Sequence, residues 1–197
     1  MPSFVDEFMS KWGGELSAQI ASTTGISSGV VAQIIPQIVP LILSGLRKQK
    51  DERGGPQRAD HILNKYGSAS FLQDIAGTVA EKAQDPSTDP QLGGLLGQAG
   101  LKATQAIAKQ YKLDTAVAAK LIPMVTPFVL AALTQKRGAQ RLGSSGLAAL
   151  LDQEGDGSIL DDAAGFIMKG LMGSSGAQGG AQAVGKILSG LFGRKKL

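Results

Sequence analysis

The chain has no cysteine and a single histidine among its 197 residues. Without cysteine the protein has no disulfide, no catalytic thiol and no cysteine-liganded metal site. His61, the single histidine, has only Asp60 as an acidic neighbour, so no catalytic triad or histidine-rich metal site can be assembled. The sequence therefore predicts a protein that is not an enzyme.

Charged residues are also scarce, since Lys, Arg, Asp and Glu make up 18% of the chain and the formal net charge is +4. Proteins that attract polyanions concentrate basic residues on one face or stripe. Here the basic residues include short clusters that follow apolar helices, such as Lys48 with Lys50 and Arg194 with Lys195. The composition therefore argues against nucleic acid as a partner.

A secretory signal is missing as well, because Asp6 and Glu7 stand where such a signal needs basic residues and no long apolar segment follows. We therefore expect a cytoplasmic protein. Residues 16–46 carry no charge, which raises the alternative of a membrane span. A spanning helix needs about 20 predominantly apolar residues, whereas this stretch is rich in Ser and Thr and contains Gln33 and Gln37, so we do not expect membrane insertion.

What the chain does contain is an internal repeat. A shift of 87 positions aligns residues 20–50 with residues 107–137, and most apolar positions then meet apolar ones. Such self-similarity at a fixed offset indicates an internal duplication. The residues of the first copy that meet identical residues in the second are Ile20, Ala21, Val30, Ala32, Ile35, Pro36, Pro40, Leu43 and Leu46.

The apolar periodicity predicts an all-α protein of internally duplicated multi-helix units, followed by a C-terminal amphipathic helix. An interior proline costs a helix about 3 kcal/mol, so we expect the core helices to be kinked or broken near Ile35 and its counterpart. The predicted units are a first helical repeat, a linker, a second repeat with an acidic loop, and a Gly/Ser tether with a tail helix. They cover residues 1–84, 85–91, 92–172 and 173–197.

Helix boundaries can be predicted from capping residues. Ser3 is placed to cap a first helix, and Ser27 and Asp114 to cap the two copies of the proline helix. The charged stretch 47–58 contains Gly and Pro and is predicted to be a loop. Residues 70–73 have the pattern of a capping box for a helix over residues 71–83.

The acidic stretch 152–162 has the spacing of a calcium-binding loop. Alternate acids provide the hard oxygen ligands that calcium prefers, a glycine occupies the sharp-turn position, and the seventh residue offers its carbonyl. The twelfth place, where a bidentate Glu belongs, holds Ala163, so a nearby Asp has to substitute. The alternative is a tight Asp-Gly turn with solvated acids. The predicted calcium ligands are Asp152, Glu154, Asp156, Ser158 and Asp162.

Two apolar segments near the chain ends are candidates for assembly. The first helix holds three of the nine aromatic residues, and these either close the protein's own core, the commoner case, or bind a neighbouring subunit. The tail helix follows a Gly/Ser tether and docks either on its own chain or on a neighbour. The candidate assembly residues are Phe4, Phe8, Trp12, Val184, Ile187, Leu188, Leu191 and Phe192.

The turn before the proline helix also has the spacing of a helix-turn-helix. Ala21, Gly25 and Val31 occupy the small, turn and core positions of that motif. A recognition helix needs polar or basic side chains that face the bases, whereas Gly29 and Val30 offer none. Nucleic-acid binding therefore stays an alternative, as does an amphitropic membrane protein that uses the basic tail.

Residues 107–137, followed by the acidic loop 151–162, resemble the bacterial domain of unknown function 937 family, and the lead-in from Ala108 is also similar to the YidB-like proteins. This resemblance implies a bacterial helical protein and carries no activity. From the residues themselves we predict a non-enzymatic structural or scaffolding protein that forms a homo-oligomer or filament. Calcium bound in the acidic loop is the one cofactor that the sequence predicts.

Overall fold

A computed structural model describes residues 3–85 and 89–154 of the chain, and every element in this part is helical, as the sequence predicts. A π-helical turn, Met9–Gly13, joins the first two α-helices, and a 3-10 turn, Ala69–Leu72, precedes the fifth. The α-helices are α1 Phe4–Phe8, α2 Gly14–Thr24, α3 Ser28–Arg53, α4 Gly55–Tyr66, α5 Ile75–Gln84, α6 Gln98–Tyr111, α7 Thr115–Ala139 and α8 Ser144–Glu154.

The predicted caps are present in the structure. The Ser3 side chain accepts a hydrogen bond from the backbone of Asp6, whose carboxylate accepts in return from the Ser3 backbone, so α1 begins with a capping box. Ser27 accepts from the Val30 backbone at the start of α3, and Asp114 accepts from Ala116 at the start of α7. These bonds satisfy amide groups that the first turn of a helix leaves unpaired.

The two junctions that the 87-residue shift pairs are built in the same order. Gly25 ends α2 in the left-handed conformation at φ 77°, and Lys112 ends α6 in the same region at φ 53°. The N-cap of the next long helix follows two positions later in each case, at Ser27 and Asp114. The left-handed conformation costs more free energy at Lys112 than at a glycine, because a Cβ atom disfavours positive φ.

Both long helices are continuous across their prolines. Pro36 and Pro40 lie inside α3, and Pro123 and Pro127 lie inside α7. The expected break near Ile35 is therefore wrong, while a kink stays a prediction. Each proline ring removes one hydrogen bond to the carbonyl four residues earlier. Burial offsets this loss, since the side chains of Ile34, Ile35 and Ile38 and many of those on α7 are almost fully buried.

Two boundary predictions were wrong. Residues 47–58 are not a loop, because α3 runs on to Arg53 and α4 begins at Gly55 after a turn at Gly54. The capping box predicted at residues 70–73 does not cap α5. Its cap is Asp74, whose carboxylate accepts a 2.8 Å hydrogen bond from the backbone of Gly77.

The helices of the two halves cover one another. Helix α4 packs against α3 and also against α7 of the second half, while α8 of the second half packs against α3 and α4. Helix α5 lies between α2 and α7. The buried apolar residues of the described part form a single cluster to which both halves contribute. The two predicted repeats therefore share one core within the described residues, while the boundary at residues 85–91 stays a prediction.

Helices α3 and α7 are long and apolar enough to cross a membrane by length and composition alone. The core helices of soluble proteins meet the same criterion. Within the described part of the chain, 56% of the apolar window of α3 and 72% of that of α7 are buried. Helix α3 is thus less completely covered than α7, although the two helices share their proline pattern.

The end of α4 makes a close contact with α7 that can be tested. A Cβ atom at Gly67 would lie 2.7 Å from the Leu130 carbonyl oxygen and 2.7 Å from the Thr134 hydroxyl. We expect Gly67→Ala to lower the free energy of unfolding by about 1–3 kcal/mol, because the contact would be overpacked. Urea denaturation of the purified protein measures this change.

The matched control is Gly138→Ala, at a helical position where a Cβ meets open space. This variant should leave the free energy of unfolding unchanged or raise it by about 0.5–1 kcal/mol, since alanine favours a helix over glycine. Equal stability of the two variants would contradict the close contact between Gly67 and α7.

Candidate functional site

The first residue of the predicted calcium loop is paired with cations of α3. Asp152 lies in the last turn of α8, where its carboxylate is 2.7 Å from the Lys50 ammonium and 3.6 Å from Arg47. The hydrogen bonds to Asp152 and Asp51 raise the pKa of Lys50. Any calcium bound at Asp152 would have to compete with these cations for the carboxylate.

The remaining predicted ligands cannot be placed together with Asp152. Asp156, Ser158 and Asp162 lie outside the described residues, and Glu154 is described only as the last helical residue of α8. Within residues 3–85 and 89–154, no group of three His, Cys, Asp or Glu side chains is placed to hold a metal. Calcium binding by this stretch stays a prediction.

The first half contains a counterpart to Asp162. Residues 158–165 match residues 70–77 in sequence, so Asp162 corresponds to Asp74. The Asp74 carboxylate caps α5 by accepting from the Gly77 backbone, and Gly165 stands at the place of Gly77. Helix capping is therefore a second role for which the residue type at position 162 is suited.

The aromatic side chains of the first helix pack into the protein's own core. Phe4 is 2% exposed, Phe8 is fully buried, and Trp12 packs against the core with its ring centre 5.6 Å from that of Phe8. Glu7 of α1 accepts a 2.8 Å hydrogen bond from Lys136 of α7, which links the two helices. The hydrogen bonds from Lys11 and Lys136 lower the pKa of Glu7. This arrangement corresponds to the alternative in which the helix closes its own core.

Five of the predicted assembly residues belong to the C-terminal tail. Val184, Ile187, Leu188, Leu191 and Phe192 lie outside the described residues. Their role in assembly stays a prediction.

The proline-bearing faces of α3 and α7 differ in their cover. On α7, Pro127 is buried and Pro123 is half-buried, because the 3-10 turn and α5 pack against this helix. On α3, both Pro36 and Pro40 remain half-buried. We call this partly exposed stripe the α3 proline face; its residues are Ala32, Gln33, Pro36, Gln37, Pro40 and Ser44.

One polar atom of the α3 proline face is buried without a partner. The Gln37 side-chain nitrogen donates to the Gln33 carbonyl at 2.8 Å and to the Tyr111 hydroxyl at 2.6 Å. Its Oε1 atom is buried and has no hydrogen-bond partner among the described residues. A buried acceptor in this state costs free energy unless a donor reaches it.

A groove lies beside the proline face of α7. It has a volume of about 520 Å³ and is enclosed by α4, the 3-10 turn, the end of α5 and the turn over residues 89–95. We call it the α7 groove. Its apolar lining includes Ile62, Phe71, Leu92, Leu95, Pro127 and Leu130.

Several charged residues of different segments border the α7 groove. Arg53 comes from the end of α3, Arg58 and Lys65 come from α4, and Lys82 comes from α5. The acids Asp85 and Asp89 also line it. Cations therefore outnumber acids around an apolar floor.

The α7 groove was not predicted from the sequence. Its four cations lie within residues 53–82, but its apolar lining extends to Leu130 of α7, so the lining forms no linear motif. The one visible signal was the spacing of Pro123 and Pro127, which puts both rings on one face of α7.

The chain matches the family described as "Bacterial protein of unknown function (DUF937)" over residues 6–136 and 134–197. The match confirms the resemblance to this family, while the similarity to YidB-like proteins stays a prediction. No curated protein and no solved structure matches the chain. The family description assigns neither an activity nor a site residue.

The pairing of Lys50 with Asp152 provides a test of the calcium loop. Lys50→Met would keep most of the packing of this mostly buried side chain while removing the competing charge. If the loop binds calcium, the affinity should rise roughly two- to fivefold, because an ion pair with one solvent-exposed partner such as Asp152 is worth up to about 1 kcal/mol. Isothermal titration of the full-length chain with calcium measures the affinity.

Two further variants make this titration decisive. Asp152→Asn should abolish the calcium heat, whereas Lys48→Met should leave the affinity unchanged, since Lys48 is largely exposed and pairs with Glu52 rather than Asp152. If neither the unmodified protein nor Lys50→Met binds calcium, the predicted metal site is wrong.

Proposed function

We propose that this chain, which belongs to the bacterial family of unknown function DUF937, is a non-enzymatic structural protein that self-assembles through its α3 proline face. The observation that supports the proposal is the unequal cover of the two proline helices. On α7 the 3-10 turn and α5 of the first half pack beside the prolines and Pro127 is buried, whereas on α3 both prolines are only half-buried among the described residues.

The chemistry of the α3 proline face suits a partner helix. Ala32, Pro36, Pro40 and Ser44 are short or compact, so another backbone can approach α3 closely, at the 8–10 Å interaxial distance of packed helices. The face carries no charge that a partner would have to desolvate.

We propose a second copy of this chain as the occupant. The chain already contains apolar helical sequence of the required kind, since the tail residues from Val184 to Phe192 are predicted to form one apolar face after a Gly/Ser tether. A contact between the tail of one copy and α3 of the next is heterologous, and such contacts build rings or filaments. Calcium in the acidic loop, which precedes the tether, would modulate this contact.

Two other classes of function remain alternatives. Nucleic-acid binding through α3 would use the exposed residues of its first turns, and these are Ser28, Gly29 and Gln33, none of which is basic. Membrane association would use the basic end of the tail, with Arg194 and Lys195. A cytoplasmic location is likewise part of what we propose.

The proposal predicts a species larger than a monomer in sedimentation velocity of the full-length protein. The double variant Ala32→Arg, Ser44→Arg should sediment as a monomer, because two buried charges at the contact are strongly unfavourable. Deletion of residues 173–197 should have the same effect. Each protein is measured in chelator and again in millimolar calcium.

The matched control is Ala139→Arg, which adds a charge at an exposed position at the end of α7. It should sediment like the unmodified protein. Monomeric unmodified protein in both buffers would contradict self-assembly. An assembly that withstands the α3 substitutions would instead show that the contact lies elsewhere on the molecule.

A further inference from the structure

The α7 groove has the size and lining of a small-molecule site. Ligand pockets typically occupy about 300–1,000 Å³ and are mostly apolar, with a few polar groups that fix orientation. The groove of about 520 Å³ lies in this range, and Pro127 and Leu130 of α7 form part of an apolar lining. Thr126 of the same helix is not a free polar group, since its hydroxyl donates to the Ile122 carbonyl at 2.7 Å.

The acids of the groove are already engaged. Both carboxylate oxygens of Asp89 accept backbone hydrogen bonds, from Gln91 at 2.9 Å and from Gly93 at 2.8 Å. Asp85 lies 4.0 Å from Lys82, so these two charges offset each other. Both acids keep their negative charge, so the four cations and two acids of the lining leave the groove with a net charge of +2.

The remaining cations are in excess. Arg53 and Lys65 have no ion-pair partner among the described residues, although the Lys65 ammonium lies 5.1 Å from the centre of the Tyr66 ring. Arg58 is oriented by Gln49, whose buried Oε1 accepts from the Arg58 Nε at 3.4 Å while its Nε2 donates to the Gly94 carbonyl at 3.2 Å. This bond leaves the terminal nitrogens of Arg58 available to an anion. The groove thus combines an apolar lining with a net positive charge.

We propose that the α7 groove binds a free aliphatic carboxylic acid in its ionised form. The hydrocarbon chain would lie along the apolar lining that includes Leu130 and Pro127, and the carboxylate would bind Arg53, Arg58 and Lys65. Apolar burial contributes about 0.8 kcal/mol for each CH₂ group, and the cations provide charge-assisted hydrogen bonds. Cationic amphiphiles are disfavoured by the same excess of positive charge.

The test uses full-length protein and a dansyl-labelled undecanoic acid as the fluorescent probe. Binding should raise and blue-shift the dansyl emission, and unlabelled decanoate below its micellar concentration should displace the probe. Decanol and decylamine have the same chain without the anion, so they should displace it at least about tenfold less well, as expected for loss of a charged hydrogen bond.

A double variant, Arg53→Gln with Lys65→Gln, should weaken probe binding at least about tenfold. Its control is Lys48→Gln with Lys102→Gln, which removes the same charge at exposed positions outside the groove. Equal thermal midpoints of the two double variants would show that folding is preserved. Because all four positions are exposed or half-exposed on the surface, we expect little change in stability.

Three results would overturn the proposal. One is the absence of any probe binding to the unmodified protein. Another is equal displacement by decanoate and decanol, which would show apolar binding without recognition of the anion. The third is an equal loss of affinity in the groove variant and its control, which would indicate a general effect of net charge rather than a site. None of these results depends on whether the protein self-assembles.

Discussion

The structure depends on the need to bury two long apolar helices that lie side by side. Helices α3 and α7 each present apolar side chains around most of their circumference, and their mutual contact covers only one side of each. The remaining sides have to be covered by shorter helices, since exposed apolar surface of this extent is unfavourable in water. The chain meets this need by placing α4 on both long helices and α8 against α3. The shared core forms where the shorter helices pack on α3 and α7. The α7 groove and the partly exposed α3 proline face lie where this packing is incomplete.

Features that depend on neighbouring residues could be predicted from the sequence. Ser3, Ser27 and Asp114 were correctly identified as caps, because a cap is a hydrogen bond across two or three positions. The stretch 47–58 was predicted wrongly, since its charges and glycines are typical of a loop. In the structure Arg47 and Lys50 remain helical and pair with Asp152, a residue about a hundred positions later. A tertiary contact of this range leaves no local signal in the sequence.

The candidate sites were predictable to different degrees. Alternate acids made the calcium loop visible, but the competition of Lys50 for Asp152 depends on the packing of α8 against α3. The α7 groove was missed because its lining comes from six separate parts of the chain. The orientation of Arg58 illustrates this point, since it depends on Gln49 of another helix and on the turn that holds Gly94. Burial of a glutamine among apolar residues is not a pattern that periodicity detects.

The crossing of helices between the two halves also has a consequence for biosynthesis. While the ribosome is still translating the second half, α4 has emerged but the surfaces of α7 and α8 that cover it do not yet exist. The apolar side of the nascent first half must therefore remain exposed until residue 154 or so has left the exit tunnel. Chains with many contacts of long sequence separation fold slowly and are open to misassociation during this interval. A chaperone that shields nascent apolar helices would have its longest opportunity to act between the synthesis of α4 and that of α8.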